Sequence, residues 1–350
     1  MAPTSALRQE QEPATTAVTE VGPGVLRLQL PISMPGLGHV NCYALEDDRG
    51  VALVDPGLPG PESWAALNAR LAEADLPLRR VHTVVVTHSH PDHFGGAGRL
   101  RRETGAEIVG HRRFSTWWDP SEPGDVDPEV QAGDVQAEAP PFRPTPWGGP
   151  GFDDQWRRKE GMLDFARLRE AIGTPTPTRR LDDADAIELA GREWVALHTP
   201  GHTPDHLCLF DPTTGLVLSG DHVLPTITPH ISGLTTAADP LAQFFASLDR
   251  MHELSDVQRV LPAHGHPFVD LDGRVDAIKH HHEERLDRLR TASEELGRPA
   301  TVTELAQHLF SARAQGPMAD SETYAHLEHL RLAGTAEVRT VHGQLEYLVG

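Results

Sequence analysis

The segment at residues 87–93, Thr-His-Ser-His-Pro-Asp-His, combines the residue types best suited to metal chemistry. It places four potential ligands within six residues, namely His88, His90, Asp92 and His93. In an extended segment His88 and His90 point to the same side. The turn that follows can direct Asp92 and His93 toward a second point nearby. Because a borderline metal such as zinc takes nitrogen and oxygen ligands, the spacing indicates two neighbouring metal ions.

The sequence around this segment predicts the elements that position it. A β-branched stretch at residues 81–86 comes directly before it and indicates a buried strand. The other candidate ligands also follow apolar, strand-like runs, and they are Asp55, His202, Asp221 and His264. Residues that follow strands of one sheet layer can project from the same edge of that layer. The pattern therefore predicts an α/β fold whose strand ends converge on a metal site.

In this order, the residues resemble the motif of the metallo-β-lactamase superfamily, which has His-x-His-x-Asp-His, a later His, a bridging Asp and a final His. The resemblance covers about residues 24–270 and implies a four-layer αββα sandwich with two zinc ions, iron or manganese being alternatives. Carried over by position, it implies one metal held by His88, His90 and His202. The second metal would be held by Asp92, His93 and His264, and Asp221 would bridge the two. Asp55 matches the family's early Asp, which orients ligands from behind.

Composition limits which binding partners and which cell compartment the sequence predicts. The chain has 350 residues and a formal net charge of −20, which disfavours a large nonspecific nucleic-acid footprint because phosphate contacts need clustered Lys and Arg. The two cysteines, Cys42 and Cys208, lie in apolar runs and are interpreted as buried reduced thiols. The N-terminus lacks the apolar core of a signal peptide, and no stretch approaches the length of a membrane helix. These features predict a cytoplasmic protein with no membrane association.

The chain divides into three segments by composition and pattern. Residues 1–22 predict a flexible tail, residues 23–270 the metallo-β-lactamase catalytic domain, and residues 271–350 a helical linker with a small winged-helix-like domain. Residues 112–180 are a Trp- and Pro-rich insertion whose tryptophans are Trp117, Trp118, Trp147 and Trp156. Two interpretations stay open for these rings. They form an apolar substrate wall in a lid, or they anchor the insertion to the domain or to the second subunit of a homodimer.

The C-terminal segment predicts a helix, a second helix and a hairpin. A capping box at residues 301–304 precedes the first helix, and the second is expected from Ser321 to about Leu332. His342-Gly343 is a hairpin turn signal. This order resembles the winged-helix module of the lactamase-β-like subgroup of the superfamily. From residue 298 onward four arginines face six acidic residues, so 4 − 6 = −2 is the wrong sign for following phosphates, and a packing role or a dimer face is expected instead of DNA binding.

The resemblance implies a hydrolase in which a metal-bridged hydroxide attacks a carbonyl or phosphoryl centre, with Asp92 orienting it. His206, His230 and His266 lie beside the ligand motifs and are candidates for proton donors or for residues that orient ligands. Acidity and the Trp-rich insertion favour a small-molecule acyl substrate, a thioester or ester, as in glyoxalase II. The subgroup resemblance favours an alternative, a phosphodiesterase or ribonuclease. A mononuclear iron enzyme resembling persulfide dioxygenases is the third hypothesis.

Overall fold

Two β-sheets form the centre of the protein. The computed structural model describes residues 7–34, 36–116, 145–148 and 175–350. In these residues the first sheet contains, in chain order, β1 (Thr19–Gly22), β2 (Val25–Met34), β3 (Leu37–Asp47), β4 (Gly50–Val54), β5 (Val81–Val85), β6 (Glu107–His111) and β7 (Arg179–Leu181). The second sheet contains β8 (Ala186–Leu189), β9 (Arg192–His198), β10 (Leu207–Asp211), β11 (Leu216–Gly220) and β12 (Arg259–Pro262), in the order β12-β11-β10-β9-β8. Strands β4 to β7 run parallel, as do β11 and β12, and the other pairs in these two sheets are antiparallel.

Helices cover the outer face of each sheet. The described α-helices are α1 (Pro61–Glu73), α2 (Pro91–Phe94), α3 (Ala97–Thr104), α4 (Pro240–Met251), α5 (Leu271–Leu296), α6 (Val302–Leu309) and α7 (Pro317–Leu332). Leu67 of α1 and Leu100 of α3 belong to the core outside the first sheet. Phe244 of α4 belongs to the core outside the second sheet, whereas Val85 and Trp194 belong to the layer between the sheets. The predicted four-layer αββα sandwich is confirmed.

The helices also bear on the membrane prediction. In the part of the chain that the structure describes, none of them combines the length and the apolar character needed to cross a bilayer.

Strand β5 delivers the His-rich segment to the edge of the first sheet. Four of its five residues are buried, and it pairs in parallel with β4 and β6. β-branched residues are common in parallel strands that are covered on both faces. The carboxyl ends of β4 and β5 therefore lie side by side, which brings Asp55 next to residues 87–93. Pro91 begins α2, where its missing N–H needs no partner, and the short helix holds Asp92 and His93 in a single turn.

The N-terminal segment differs from the flexible tail predicted for residues 1–22. In its described part, Gln9–Gln11 form a 3-10 helical turn and β1 pairs with β2. Glu10 is fully buried, and its carboxylate accepts hydrogen bonds from the backbone N–H groups of Thr226 (2.7 Å) and Ile227 (3.1 Å). The helical turn is therefore held by a loop far along the chain, and β1 is held by its pairing with β2.

The C-terminal residues contain the predicted helix, helix and hairpin. A small sheet of β13 (Ala300–Thr301), β15 (Gln344–Val349) and β14 (Ala336–Val341) packs beside α6 and α7, and its connection at His342 and Gly343 has two positive φ values, as a type I′ turn requires. The second helix begins at Pro317, four residues earlier than predicted, because proline is favourable in the first turn of a helix. The likeness to a winged helix stays a prediction.

Thr301→Ala is expected to lower the free energy of unfolding by about 1 kcal/mol. The Thr301 hydroxyl accepts a hydrogen bond from the Glu304 N–H at 3.2 Å, and the Glu304 carboxylate accepts one from the Thr301 N–H at 2.8 Å. Removing the hydroxyl leaves a backbone donor of the first turn of α6 without its acceptor. Chemical denaturation measures the effect. Thr301→Ser keeps the accepting oxygen and is the matched control, so equal losses in both variants would contradict the capping role.

Candidate metal centre

Four loops bring the predicted metal ligands to one edge of the sandwich. His88 and His90 follow β5, and His202 lies in the loop between β9 and β10. Asp221 comes directly after β11, and His264 is the second residue after β12. Since β11 and β12 are parallel neighbours, their carboxyl ends place Asp221 and His264 next to each other. The structure brings all seven predicted ligands together in two groups.

The first group contains His88, His90, His202 and Asp221, whose ligand atoms all lie within 4.8 Å of one another. His90 Nδ1 lies 3.0 Å from His88 Nε2 and 3.1 Å from His202 Nε2. Asp221 Oδ2 lies 3.7 Å from His202 Nε2 and 4.0 Å from His88 Nε2. Three ring nitrogens and one carboxylate oxygen thus face a common point.

The second group contains Asp92, His93 and His264. Asp92 Oδ2 lies 3.4 Å from His93 Nε2 and 3.5 Å from His264 Nε2. The carboxylate of Asp221 reaches this group as well, with Oδ1 at 3.3 Å from His264 Nε2 and Oδ2 at 3.6 Å from His93 Nε2. Asp221 therefore lies within reach of both groups, as a bridging ligand must.

The donor set fits metal ions. His93 Nε2, His264 Nε2 and Asp221 Oδ1 are buried and have no hydrogen-bond partner. A buried polar atom without a partner costs about 1–3 kcal/mol, so three that converge favour a bound cation over an apolar or dry site. Imidazole nitrogens with carboxylate oxygens are a ligand set for divalent transition metals. In the residues described, this centre can hold a metal in each group.

In four of the five histidine ligands, the ring nitrogen that points away from the centre fixes the direction of the other nitrogen. The ring Nδ1 atoms have these partners: Thr87 Oγ1 for His88 (3.0 Å), Asp55 Oδ2 for His93 (2.9 Å), the His230 carbonyl for His202 (2.7 Å) and the His39 carbonyl for His264 (2.7 Å). Each of these partners accepts a hydrogen bond, so we assign a proton to Nδ1 in these four rings. When the ring is neutral, as metal binding requires, the Nε2 lone pair faces the centre.

Asp55 organises the ligands on the β5 side. Its carboxylate accepts hydrogen bonds from the Thr87 N–H and from the Thr87 hydroxyl, both at 2.8 Å, and from His93 Nδ1. Its backbone φ is 54°, a left-handed conformation that costs a non-glycine residue energy. Three hydrogen bonds to one buried carboxylate hold this strained residue in place, and Asp55 thereby orients His93 directly and His88 through Thr87.

The two groups differ in charge. Burial lowers the pKa of His90 to about 3, with the neighbouring His202 acting in the same direction, so its ring is neutral. Burial alone would also lower the pKa of His264, but Asp221 and Asp92 raise it to about 10. Burial would raise the pKa of Asp92, and His93 and His264 lower it instead. The second group thus pairs charged imidazolium rings with carboxylates in the metal-free protein.

The three additional histidines occupy different positions. His206 Nε2 accepts a hydrogen bond from the Asp221 N–H at 3.0 Å and its Nδ1 lies 2.8 Å from Thr199 Oγ1, so the ring holds the backbone of Asp221. His230 supports His202 through its carbonyl oxygen. The ring of His266 contacts Glu12 at 2.9 Å and Arg27 at 3.1 Å, and these contacts involve none of the seven ligands.

Trp147 lies in the core that the C-terminal elements share. Its side chain is 4% exposed, its ring packs 5.2 Å from that of Tyr324, and its carbonyl accepts a hydrogen bond from the Leu345 N–H. A ring buried in this way anchors its segment and leaves little surface for a substrate, which favours the anchoring interpretation for this tryptophan over the substrate wall. Trp117, Trp118 and Trp156 lie outside the described residues.

Several residues that support the ligands were not predicted from the sequence. Thr87 and the carbonyl of His39 were missed because their roles depend on partners from other strands. Asp205 is buried, which raises its pKa to about 7, and it accepts a hydrogen bond from the hydroxyl of Ser89 at 3.0 Å. That contact ties the His202 loop to the His88 loop. Its only sequence signal is that Asp205 lies three residues after a ligand.

A third group with metal-ligand chemistry contains His282, Glu322 and His326. His326 Nδ1 donates to the Glu322 carbonyl at 2.7 Å, and its Nε2 lies 3.0 Å from His282 Nδ1. The carboxylate of Glu322 is paired with Arg285 and His230. His282 Nε2 is buried without a hydrogen-bond partner. The other ligand atoms are occupied by these contacts and a guanidinium lies beside them, so we assign this group to the packing of α5 against α7.

The fold and the ligand geometry agree with the comparison to known families. The family model of the metallo-beta-lactamase superfamily matches residues 35–266, and the chain belongs to that superfamily. It is a hydrolase of the metallo-β-lactamase fold.

Individual relatives extend the likeness beyond the matched region. A probable metallo-hydrolase of Bacillus subtilis, YqjP, is 27% identical over 319 residues, which cover 87% of this chain and 92% of the relative. A hydroxyacylglutathione hydrolase of Pseudomonas putida is 25% identical over 280 residues, covering 77% and 80%. The crystal structure of a metallo-beta-lactamase family protein from Thermus thermophilus is 30% identical, covers 95% of this chain and 100% of its own, and has a TM-score of 0.73.

Asp221→Ala is expected to weaken divalent-metal binding by at least about 100-fold, because it removes the carboxylate that reaches both groups. Metal analysis after dialysis against a weak chelator measures the loss. Asp249→Ala is the matched control, since Asp249 pairs with Lys279 on the surface. Full metal retention by a folded Asp221→Ala protein would contradict a shared ligand.

Metal binding to the metal-free protein is expected to release protons. His264, with its pKa raised to about 10, is protonated at neutral pH and must lose that proton to bind, whereas His90 is already neutral. The affinity for Zn²⁺ therefore rises with pH between 6 and 8, about tenfold per unit for each proton released. Calorimetric titrations in buffers of different ionisation enthalpy count the protons. A pH-independent affinity would show that these rings are neutral before the metal binds.

Proposed function

We propose that the protein is a binuclear metal-dependent hydrolase that acts on an acyl substrate, a thioester or an ester. The observation that carries this proposal is the position of Asp221, whose carboxylate lies within 3.3–4.0 Å of ring nitrogens from both ligand groups. Two zinc ions are the proposed cofactors. When bound, they supply Lewis acidity and lower the pKa of a coordinated water.

The chain itself supplies the positioning of the reaction. In the metal-free protein His93 and His264 lower the pKa of Asp92 despite its burial, and a bound cation would provide the positive charge once these rings have lost their protons. The carboxylate of Asp92 can therefore accept a hydrogen bond from the attacking water and hold that water in one orientation. Asp55 keeps His93 in its tautomer, and His206 holds the backbone of Asp221. These residues keep the ligand groups in fixed geometry through the reaction.

Similarity and charge support an acyl substrate. The name of the Pseudomonas putida relative, hydroxyacylglutathione hydrolase, describes cleavage of an acylated thiol. The net charge of −20 repels a polyanion such as RNA. The alternative, a phosphodiesterase, is supported by the order of helix, helix and hairpin after the catalytic domain.

Hydrolysis of a substrate panel tests the proposal. Purified protein with measured metal content is assayed with a thioester, a lactone, a β-lactam, a bis-aryl phosphodiester and single-stranded RNA. We expect kcat/KM to be highest for the thioester, and Asp92→Asn to lower it by about 10²–10⁴-fold. Asp287→Asn, which changes an exposed carboxylate paired with Arg290, serves as the control. Turnover of the phosphodiester or RNA alone would replace the acyl substrate, and one iron per chain without hydrolysis would contradict the hydrolase.

A further inference from the structure

The orientation of His202 depends on one backbone carbonyl. His202 Nδ1 donates to the carbonyl oxygen of His230 at 2.7 Å, which turns Nε2 toward His90 and Asp221. His230 lies in the connection between β11 and α4, and we name residues 222–238 of that connection the support loop. This loop has no regular secondary structure, so no sheet ladder fixes the position of that carbonyl.

Helix α7 holds the support loop directly after His230. The Gly233 N–H donates to both the carbonyl (3.2 Å) and the hydroxyl (3.0 Å) of Ser321 in the first turns of the helix. A Cβ atom added to Gly233 would lie 2.5 Å from Tyr324 Cδ1 and 2.7 Å from the Ser321 carbonyl oxygen. The approach is therefore so close that only glycine fits at this position.

Glu322 makes the contact to His230 itself. Its carboxylate lies 3.3 Å from His230 Nδ1 and accepts a hydrogen bond from Arg285 of α5. Burial would raise the pKa of Glu322, but His230 and Arg285 lower it, so the buried carboxylate is charged and strongly bound on both sides. The paired rings of His282 and His326 fix α7 against α5 one turn further along. The carboxylate thus connects a rigid helix pair to the support loop.

The other end of the support loop is held separately. Glu10 accepts hydrogen bonds from Thr226 and Ile227, and the guanidinium of Arg274 donates to the carbonyl oxygens of Leu224 and Ile227. Residues 224–227 consequently have their own supports. Only the part of the loop that contains the His230 carbonyl relies on α7.

We propose that Glu322 is a positioning residue for the metal centre: through His230 it sets the orientation of His202, so the C-terminal helices are part of the metal site. This inference rests on the proposed metal centre and is independent of the substrate. Loss of the contact between Glu322 and His230 frees the carbonyl to shift, and the His202 ring then turns away from His90 and Asp221. Binding at the first ligand group weakens, whereas Asp92, His93 and His264 keep their supports.

Cobalt binding tests the proposal without reference to activity. Metal-free full-length protein is titrated with Co²⁺ against a competing chelator, and the visible spectrum, which depends on coordination geometry, is recorded for each bound ion. Glu322→Ala is expected to weaken the binding of one ion by about 10–100-fold and to change its spectrum. His202→Ala identifies the affected ion. Glu328→Gln, on the same helix but paired with Arg331 and Tyr347 inside the C-terminal elements, is the matched control and should resemble the wild type.

A second variant distinguishes the proposed positioning role from a general folding defect. Glu322→Ala leaves Arg285 without its carboxylate, whereas Gly233→Ala keeps that ion pair and disturbs only the docking of the loop on α7. Both variants should weaken the same ion, and the double variant should lose less than the sum, because both changes release one loop. If both bind two Co²⁺ ions like the wild type while His202→Ala does not, the positioning role is overturned. If the wild type and His202→Ala bind Co²⁺ equally poorly, the proposed metal centre fails, and the inference fails with it.

Discussion

The burial of Asp221 among the ring nitrogens of two histidine groups is the constraint on which the structure of the site depends. A carboxylate that is 7% exposed is tolerated only when charges or strong hydrogen bonds compensate for its lost hydration. Asp221 lies within 4.0 Å of His88, His93, His202 and His264. The parallel pairing of β11 with β12 sets its place next to His264, and the Asp55 network sets the opposite side.

Both ends of the described chain support loops around this centre. At the N-terminal end the Glu12 carbonyl lies 2.7 Å from His39 Nδ1, and the His39 carbonyl in turn accepts a hydrogen bond from His264 Nδ1. At the C-terminal end Glu322 contacts His230, whose carbonyl accepts a hydrogen bond from His202 Nδ1. The two ligand groups therefore have comparable backbone supports, one from each end of the chain. The positioning role proposed for Glu322 needs no nucleic acid.

Sequence reasoning worked where a signal is local. The segment at residues 87–93 carries four ligands within six residues, and the capping box at Thr301 joins residues three apart. It did not predict the order of residues 7–22, because a hydrogen bond of Glu10 joins residues 216 positions apart and leaves no periodic pattern in the sequence. His282 shows the same limit. Its hydrogen-bonding partner His326 lies 44 residues away on another helix.

By itself the sequence determined the family, the αββα architecture and the identity of the seven candidate ligands, since residue types and their order carry that information. The tertiary structure alone decided which atoms support the ligands. His230 illustrates the difference: its ring suggested a proton donor, whereas its backbone carbonyl orients His202. Every residue has such a carbonyl, so no side chain marks the one that a distant loop will meet. Packing of the loops selects it, because a buried ring N–H must find an acceptor within about 3 Å.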